Sequence, residues 1–255
     1  MSYTIAFAGK GGTGKTSLAG LTVRYLVEKK GKPVLAVDAD SNACLNEAVG
    51  LDVDATVGSL REDSLETIRS GADRPGGMSM EQLFDFQIQQ ALVESKGYDL
   101  LVMGRPEGPG CYCAANNIIR KYTDMLSDKY AYTVIDNEAG MEHLSRRTTH
   151  SVDLLMIISD PTVKGVKTAK RIYDLVEELS LDVQRSAVIL NRITGDEGDR
   201  LLDLSGELGL EIGGLVPQDI SVFENDLKGA PIFEIDESSP ARVAFFKILD
   251  EIGIP

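Results

Sequence analysis

Gly9-Lys10-Gly11-Gly12-Thr13-Gly14-Lys15-Thr16 follows the apolar run Tyr3 to Ala8 and precedes Ser17 to Lys30, where apolar residues recur at helical spacing. The octet fits the pattern of glycine, four residues, glycine, lysine, then serine or threonine. In that pattern backbone N–H groups cradle phosphates, the lysine neutralises them and the hydroxyl ligates Mg²⁺. A cradle works at a strand-to-helix junction because the helix N-terminus adds unpaired N–H groups and a positive dipole end. Gly9, Gly11, Gly12, Thr13, Gly14, Lys15, Thr16 and Ser17 are therefore candidate nucleotide-binding residues. Lys10 is one lysine more than the cradle needs.

Further strand-like runs are Pro33 to Val37, Leu100 to Met103, Tyr132 to Ile135, Leu154 to Ser159, Ser186 to Leu190 and Glu211 to Val216. Amphipathic segments such as Val163 to Leu179 separate most of them. This alternation predicts an α/β fold: a doubly wound, mainly parallel sheet with helices on both faces, in one domain spanning residues 1–255. Ligands of such sheets bind beyond the carboxyl ends of the strands, so residues directly after strands should converge on one site. The stretch Asp52 to Lys96 shows a turn at Pro75 to Gly77 and a helix from Met80 to Glu94, without evident chemistry.

A net charge of −14 argues against a nucleic-acid partner, which needs a basic surface. No run of about 18 apolar residues exists and Met1 leads straight into the first strand, so a cytoplasmic protein without a membrane span is expected. Three cysteines are too few and too unevenly placed for a disulfide framework.

A second lysine just after the first glycine resembles the deviant Walker A loop, whose ATPases include the nitrogenase iron protein, MinD, ParA and metal-insertion factors. The resemblance implies ATP and Mg²⁺ as ligands and a homodimer closing around nucleotide. It implies that Lys10 reaches the partner's phosphates, as an arginine finger does elsewhere; a surface lysine without a role is the alternative. Asp38-Ala39-Asp40-Ser41-Asn42 then resembles switch I, with Asp38 near Mg²⁺ and Asp40 positioning or deprotonating the attacking water. A solvated turn capping the next helix is the other reading of Asp40. Asp136-Asn137-Glu138-Ala139-Gly140 resembles the Walker B aspartate and switch II glycine, with Asp136 holding Mg²⁺ through its waters and Gly140 sensing the γ-phosphate. A strand-end turn is the plainer reading of Asp136. Asn191-Arg192 and Pro217-Gln218-Asp219 resemble adenine-contacting segments, with Asn191, Arg192, Pro217 and Asp219 as candidates; a helix-initiating proline is an equal reading of Pro217.

Gly108-Pro109-Gly110-Cys111-Tyr112-Cys113 places two thiols one residue apart on a loop. Two soft ligands are half of a tetrahedral site, and the same motif from a second chain across a twofold axis would complete it for Zn²⁺ or Ni²⁺. Buried structural thiols and a redox pair are the alternatives. Cys44, among apolar residues, reads as inert and buried. The loop, Cys111 and Cys113, and Asp136 to His143 together resemble the CooC-type ATPases. That resemblance covers the whole length and implies nickel insertion into a client, carbon monoxide dehydrogenase or acetyl-CoA synthase. Glu138, Glu142 and His143 share it without assigned roles, and His143 and His150 are either ligands on one helix face or surface residues. Rival classes are a positioning ATPase like MinD or ParA and an electron-transfer protein like the nitrogenase iron protein. Against the first, the partly apolar segment Ala241 to Ile252 lacks the basic face of a membrane-seeking helix. Against the second, the cysteine spacing is too close.

Overall fold

The computed structural model describes residues 2–70, 77–104, 126, 129–140 and 151–255. Among these residues the strands are β1 (Tyr3–Gly9), β2 (Val34–Ala39), β3 (Val93–Glu94), β4 (Tyr98–Val102), β5 (Tyr132–Asn137), β6 (Val152–Ser159), β7 (Val183–Ile193) and β8 (Ile212–Pro217). They form one sheet in the order β3-β4-β2-β5-β1-β6-β7-β8. Every pairing is parallel except β3 with β4. β1 lies between β5 and β6. After β1 the chain builds outward on one side through β2, and later returns across β1 to lay down β6, β7 and β8. That reversal opens a crevice at the carboxyl end of β1, where the glycine-rich loop begins.

The helices are α1 (Lys15–Tyr25), α2 (Leu45–Val49), α3 (Val57–Ser70), α4 (Met80–Ala91), α5 (Val163–Glu178), α6 (Glu197–Glu207), α7 (Ile220–Leu227) and α8 (Pro240–Ile252). The central strands read as unbroken apolar runs because helices cover both faces. Alternate residues of β1 divide accordingly: Ile5 and Phe7 join a core with α1 and α8, while Ala6 and Ala8 join a second core with α5. The doubly wound architecture predicted from the alternation is the one observed.

Local differences have local causes. The helix expected to run to Glu94 starts with a capping box between Ser79 and Gln82 and stops at Ala91. Val93 and Glu94 then pair antiparallel with β4 as a short edge strand. α3 carries few apolar residues, so its periodicity is weak; Val57 is nevertheless fully buried. β7 starts earlier than its apolar run because its first turns of pleat are partly exposed and polar, and it runs on through Asn191 and Arg192. The helical signal from Ser17 to Lys30 splits into α1 and a π-helical turn, Leu26–Lys30, ended by Gly31 in the left-handed region.

α8 fixes α1 from behind. Ser239 caps its start with Pro240 in the first turn, and Phe245, Phe246, Leu249 and Ile252 are buried. This segment is a core helix, as its lack of a basic face predicts. Among the described residues, no helix is long and apolar enough to cross a membrane. Glu28 bridges Arg24 on α1 at 2.6 Å and Arg242 on α8 at 2.7 Å. Arg24 also donates to the Ile235 carbonyl at 2.6 Å. Replacing one member of this network strands the others in a half-buried site. The hydrophobic part of the joint should dominate: Phe245→Ala is expected to lower stability by about 3–5 kcal/mol, read from the urea midpoint.

Candidate active site

Strand ends supply the site, and glycine makes the loop possible. At Gly9 φ is +149°, and a Cβ there would lie 2.3 Å from the Ile158 carbonyl oxygen. At Gly14 φ is +91°, and a Cβ would lie 2.5 Å from Asn191 Nδ2. Neither position admits a side chain without moving backbone or breaking the contact. Within the loop, Thr13 donates to the Lys10 carbonyl at 3.0 Å. From β7, Asn191 Nδ2 donates to the Thr13 carbonyl at 2.8 Å and Arg192 to the Gly12 carbonyl at 2.9 Å. Arg192 itself has φ +64°, an uncommon conformation outside glycine. The β7 end thus braces the phosphate loop.

Lys15 is buried, with Nζ 3.4 Å from the Lys10 carbonyl. Burial pushes its pKa down, while Asp136 and Asp40 pull it up. Asp38 and Asp136 are register partners on β2 and β5, both almost wholly buried. The oxygens of Asp38 accept from Asp40 N at 3.0 Å and Leu45 N at 2.8 Å, so this carboxylate, rather than Asp40, receives the first N–H of α2. Burial raises its pKa to about 6, against the opposing hydrogen bonds. Asp136 is hydrogen-bonded by Thr16 and raised by burial to about 7, with Asp38 adding and Lys15 opposing. Its Oδ1 is buried without a hydrogen-bond partner among the described residues. An acceptor left bare beside the Thr16 hydroxyl is what a hard, hydrated cation would satisfy, so the donor set fits Mg²⁺.

Asp40 is half-buried and accepts from Asn42 N at 2.8 Å and Asn42 Nδ2 at 3.1 Å, an arrangement internal to its own turn. Lys10 stands on the rim, exposed, with Nζ 4.0 Å from Asp160 Oδ2. Asp160 was legible by the rule that sheet ligands follow strands, yet no familiar motif marked it. Gly140 N donates to the Gly9 carbonyl at 3.3 Å with φ +116°, and Asn137 Nδ2 to the Phe7 carbonyl at 2.9 Å, so the segment after β5 lies against the loop.

A cavity of about 520 Å³ leads from Gly14 and Ser17 past Asn191 and Arg192 to Pro217 and α7. Pro217 is the last residue of β8 and Asp219 is the N-cap of α7, so Pro217 does not begin a helix. Asp219 Oδ1 accepts from Ser221 N at 2.9 Å, and Oδ2 accepts from Ser239 Oγ at 2.6 Å and Ala241 N at 3.1 Å. Its carboxylate therefore joins the starts of α7 and α8. Cys111, Cys113, Glu142, His143 and His150 lie outside the described residues. Cys44 is exposed, contrary to the buried position expected, because it precedes α2 on the loop after β2. Partial burial of its sulfur and the carboxylates of Asp38, Asp40, Glu47 and Asp136 raise its thiol pKa. Among the described residues no group of three or more His, Cys, Asp or Glu is placed to hold a metal.

A family model described as the CobQ/CobB/MinD/ParA nucleotide binding domain matches residues 4–232. The chain belongs to this family. Its P-loop ATPase fold is that of MinD and ParA, with the loop, the buried aspartates and the β7 brace in one crevice. An uncharacterized ATP-binding protein of Methanocaldococcus jannaschii is 41% identical over 249 residues, 98% of this chain and 96% of that protein. The carbon monoxide dehydrogenase accessory protein CooC of Rhodospirillum rubrum is 29% identical over 261 residues, 98% of this chain and 97% of that protein. In structure, the septum site-determining protein MinD of Pyrococcus horikoshii, complexed with Mg-ADP, matches with a TM-score of 0.70 at 20% identity, covering 99% of this chain and 96% of that one.

Since Asp136 titrates near 7 when folded and near 3.8 ordinarily, the folded state holds the extra proton between those values. The stability this contributes is complete at the acid end and lost as pH rises through about 7. Melting temperatures of the nucleotide-free protein should therefore fall from about pH 5 to about pH 8, and Asp136→Asn should flatten that fall, being the more stable protein only at the alkaline end. Parallel curves for the two proteins would count against the buried charge.

Proposed function

We propose that this chain is a Mg²⁺-dependent ATPase that dimerises on nucleotide and serves metal delivery to a nickel enzyme. The observation that carries the ATPase reading is the bare, buried Oδ1 of Asp136 beside Thr16 and Lys15 in a glycine cradle. Thr16 and Asp136, with Asp38 behind them, would hold Mg²⁺, which supplies charge neutralisation at the phosphates. Gly11, Gly12, Thr13 and Gly14 would line the phosphates with backbone N–H groups, and Lys15 would offset their charge. Asp40, at the site's edge, would leave its own turn to orient the attacking water. The Mg-ADP held by the similar MinD supports these ligands.

Lys10 is the residue that requires a second chain. Its ammonium is exposed on the rim, suited to a phosphate bound by a partner. One folding unit covering residues 1–255 carries this machinery, and the strongly acidic charge suits neither nucleic acid nor an anionic membrane. A cytoplasmic setting goes with it.

The delivery reading rests on the similarity to CooC along nearly the whole chain and on Cys111-Tyr112-Cys113. Two such pairs across a dimer axis would make four thiolates, and nucleotide-driven closure would gather or release them. Ni²⁺ is the cargo, destined for a carbon monoxide dehydrogenase or acetyl-CoA synthase client; Zn²⁺ binds thiolates readily and would compete in any preparation.

Lys10→Ala should keep its ATP affinity within about two-fold while turnover falls at least about 1,000-fold, the range expected for loss of a trans-acting cation. Normal turnover would remove Lys10 from the chemistry. For the metal site, wild type in ATP should bind one Ni²⁺ or Zn²⁺ per two chains, measured by elemental analysis after gel filtration. The Cys111→Ser, Cys113→Ser double variant should bind none and still hydrolyse ATP; undiminished metal in it would end the delivery reading.

A further inference from the structure

The amino ends of the strands converge as well, at the pole opposite the crevice. Val34 is the register partner of Tyr98 on one side and of Tyr132 on the other, so β4, β2 and β5 start level with one another. The residues two positions ahead of these partners are Lys96, Lys32 and Tyr130. All three line a second cavity, of about 450 Å³. β2 is six residues long, so roughly 20 Å of strand, at about 3.3 Å per residue, separates this cavity from the crevice.

Val27, from the π-helical turn, and Pro33 give the cavity apolar surface. Lys32 and Lys96 are exposed, and neither side chain makes an ion pair or a hydrogen bond among the described residues. Lys32 Nζ stands 5.7 Å from the centroid of the Tyr132 ring. Of the described residues lining the cavity, Asp99 is the one acid, and it is already engaged: Oδ1 accepts from Ser95 N at 3.2 Å and Oδ2 from the Tyr130 hydroxyl at 2.5 Å. Glu94, the register partner of Asp99, is exposed on the edge strand β3 and does not line it. In a chain of net charge −14, two neighbouring ammoniums beside apolar surface favour a ligand that brings its own negative charge.

We infer that the amino-end cavity is a binding site for a small organic anion: an apolar body rests against Val27 and Pro33, and its carboxylate, sulfonate or phosphate group sits between Lys32 and Lys96. The site is independent of the nucleotide crevice, and the two can be filled at once.

Naphthalene-2-sulfonate serves as the probe, titrated calorimetrically into the full chain with Mg-ADP present to occupy the crevice. It should bind once per chain, more weakly as salt is added, and the neutral naphthalene-2-methanol should bind about 5-fold or more weaker. The Lys32→Ala, Lys96→Ala double variant should weaken the sulfonate by about 5- to 10-fold, the scale of two partly screened charge contacts, and the Lys32→Arg, Lys96→Arg pair should restore it. Both lysines are exposed, so the alanine variant should keep the melting temperature and the Mg-ADP affinity of wild type. Wild type without saturable sulfonate binding, an alanine variant that binds the sulfonate as wild type does, or a neutral alcohol that binds equally well overturns the anion site and leaves the nucleotide reading standing.

Discussion

Two carboxylates buried side by side, Asp38 and Asp136, are the constraint around which the site is organised. Parallel register puts them at the same level on β2 and β5, and the helices on both faces keep water away. Burial makes each costly to ionise, which is why both titrate high; the charge of Asp38 adds to the shift of Asp136, and that of Asp40 to both. The structure compensates them unequally. Asp38 is met by the backbone N–H groups of Asp40 and Leu45, whereas Asp136 has the Thr16 hydroxyl and a nearby Lys15 but one oxygen without a hydrogen-bond partner among the described residues. The bare oxygen is where the proposed Mg²⁺ would bring positive charge.

The loop that would present this charge is held from three directions. β1 delivers it from the centre of the sheet, with Gly9 pressed against the β6 backbone. Asn191 and Arg192 pin its carbonyls from β7. Behind it, α1 is fastened to α8 by Tyr25 against Phe246, in edge contact with ring centroids 5.2 Å apart, and by the Arg24, Glu28 and Arg242 network. Gly140 donates its N–H to the Gly9 carbonyl of the loop, and Asp40 accepts from Asn42 within its own turn.

The proposed mechanism gives two motifs one common requirement. Lys10 stands exposed on the rim of the site, and a Cys-x-Cys pair offers only half of a thiolate tetrahedron; in the proposed dimer a second chain would complete each. A single closing motion would then tie phosphate chemistry to the metal site, with nucleotide differences between the open and closed dimer supplying the bias.

Much of this was legible from residue order alone. The octet from Gly9 to Thr16, the aspartates after two apolar runs and the alternation of strand and helix are local signals, because phosphate cradles and buried parallel strands impose short-range patterns. Other features depend on neighbours far along the chain. That Asn191 spends its amide on the loop, that Asp219 joins two helices, that Cys44 faces outward and that Lys32 and Lys96 line one cavity follow from which strand ends lie side by side. Residue type and spacing determine what a side chain can donate, accept or stack upon. Only the order of strands in the sheet decides which partner is within reach, because a hydrogen bond or a ring contact is made over a few ångströms of space and not along the sequence.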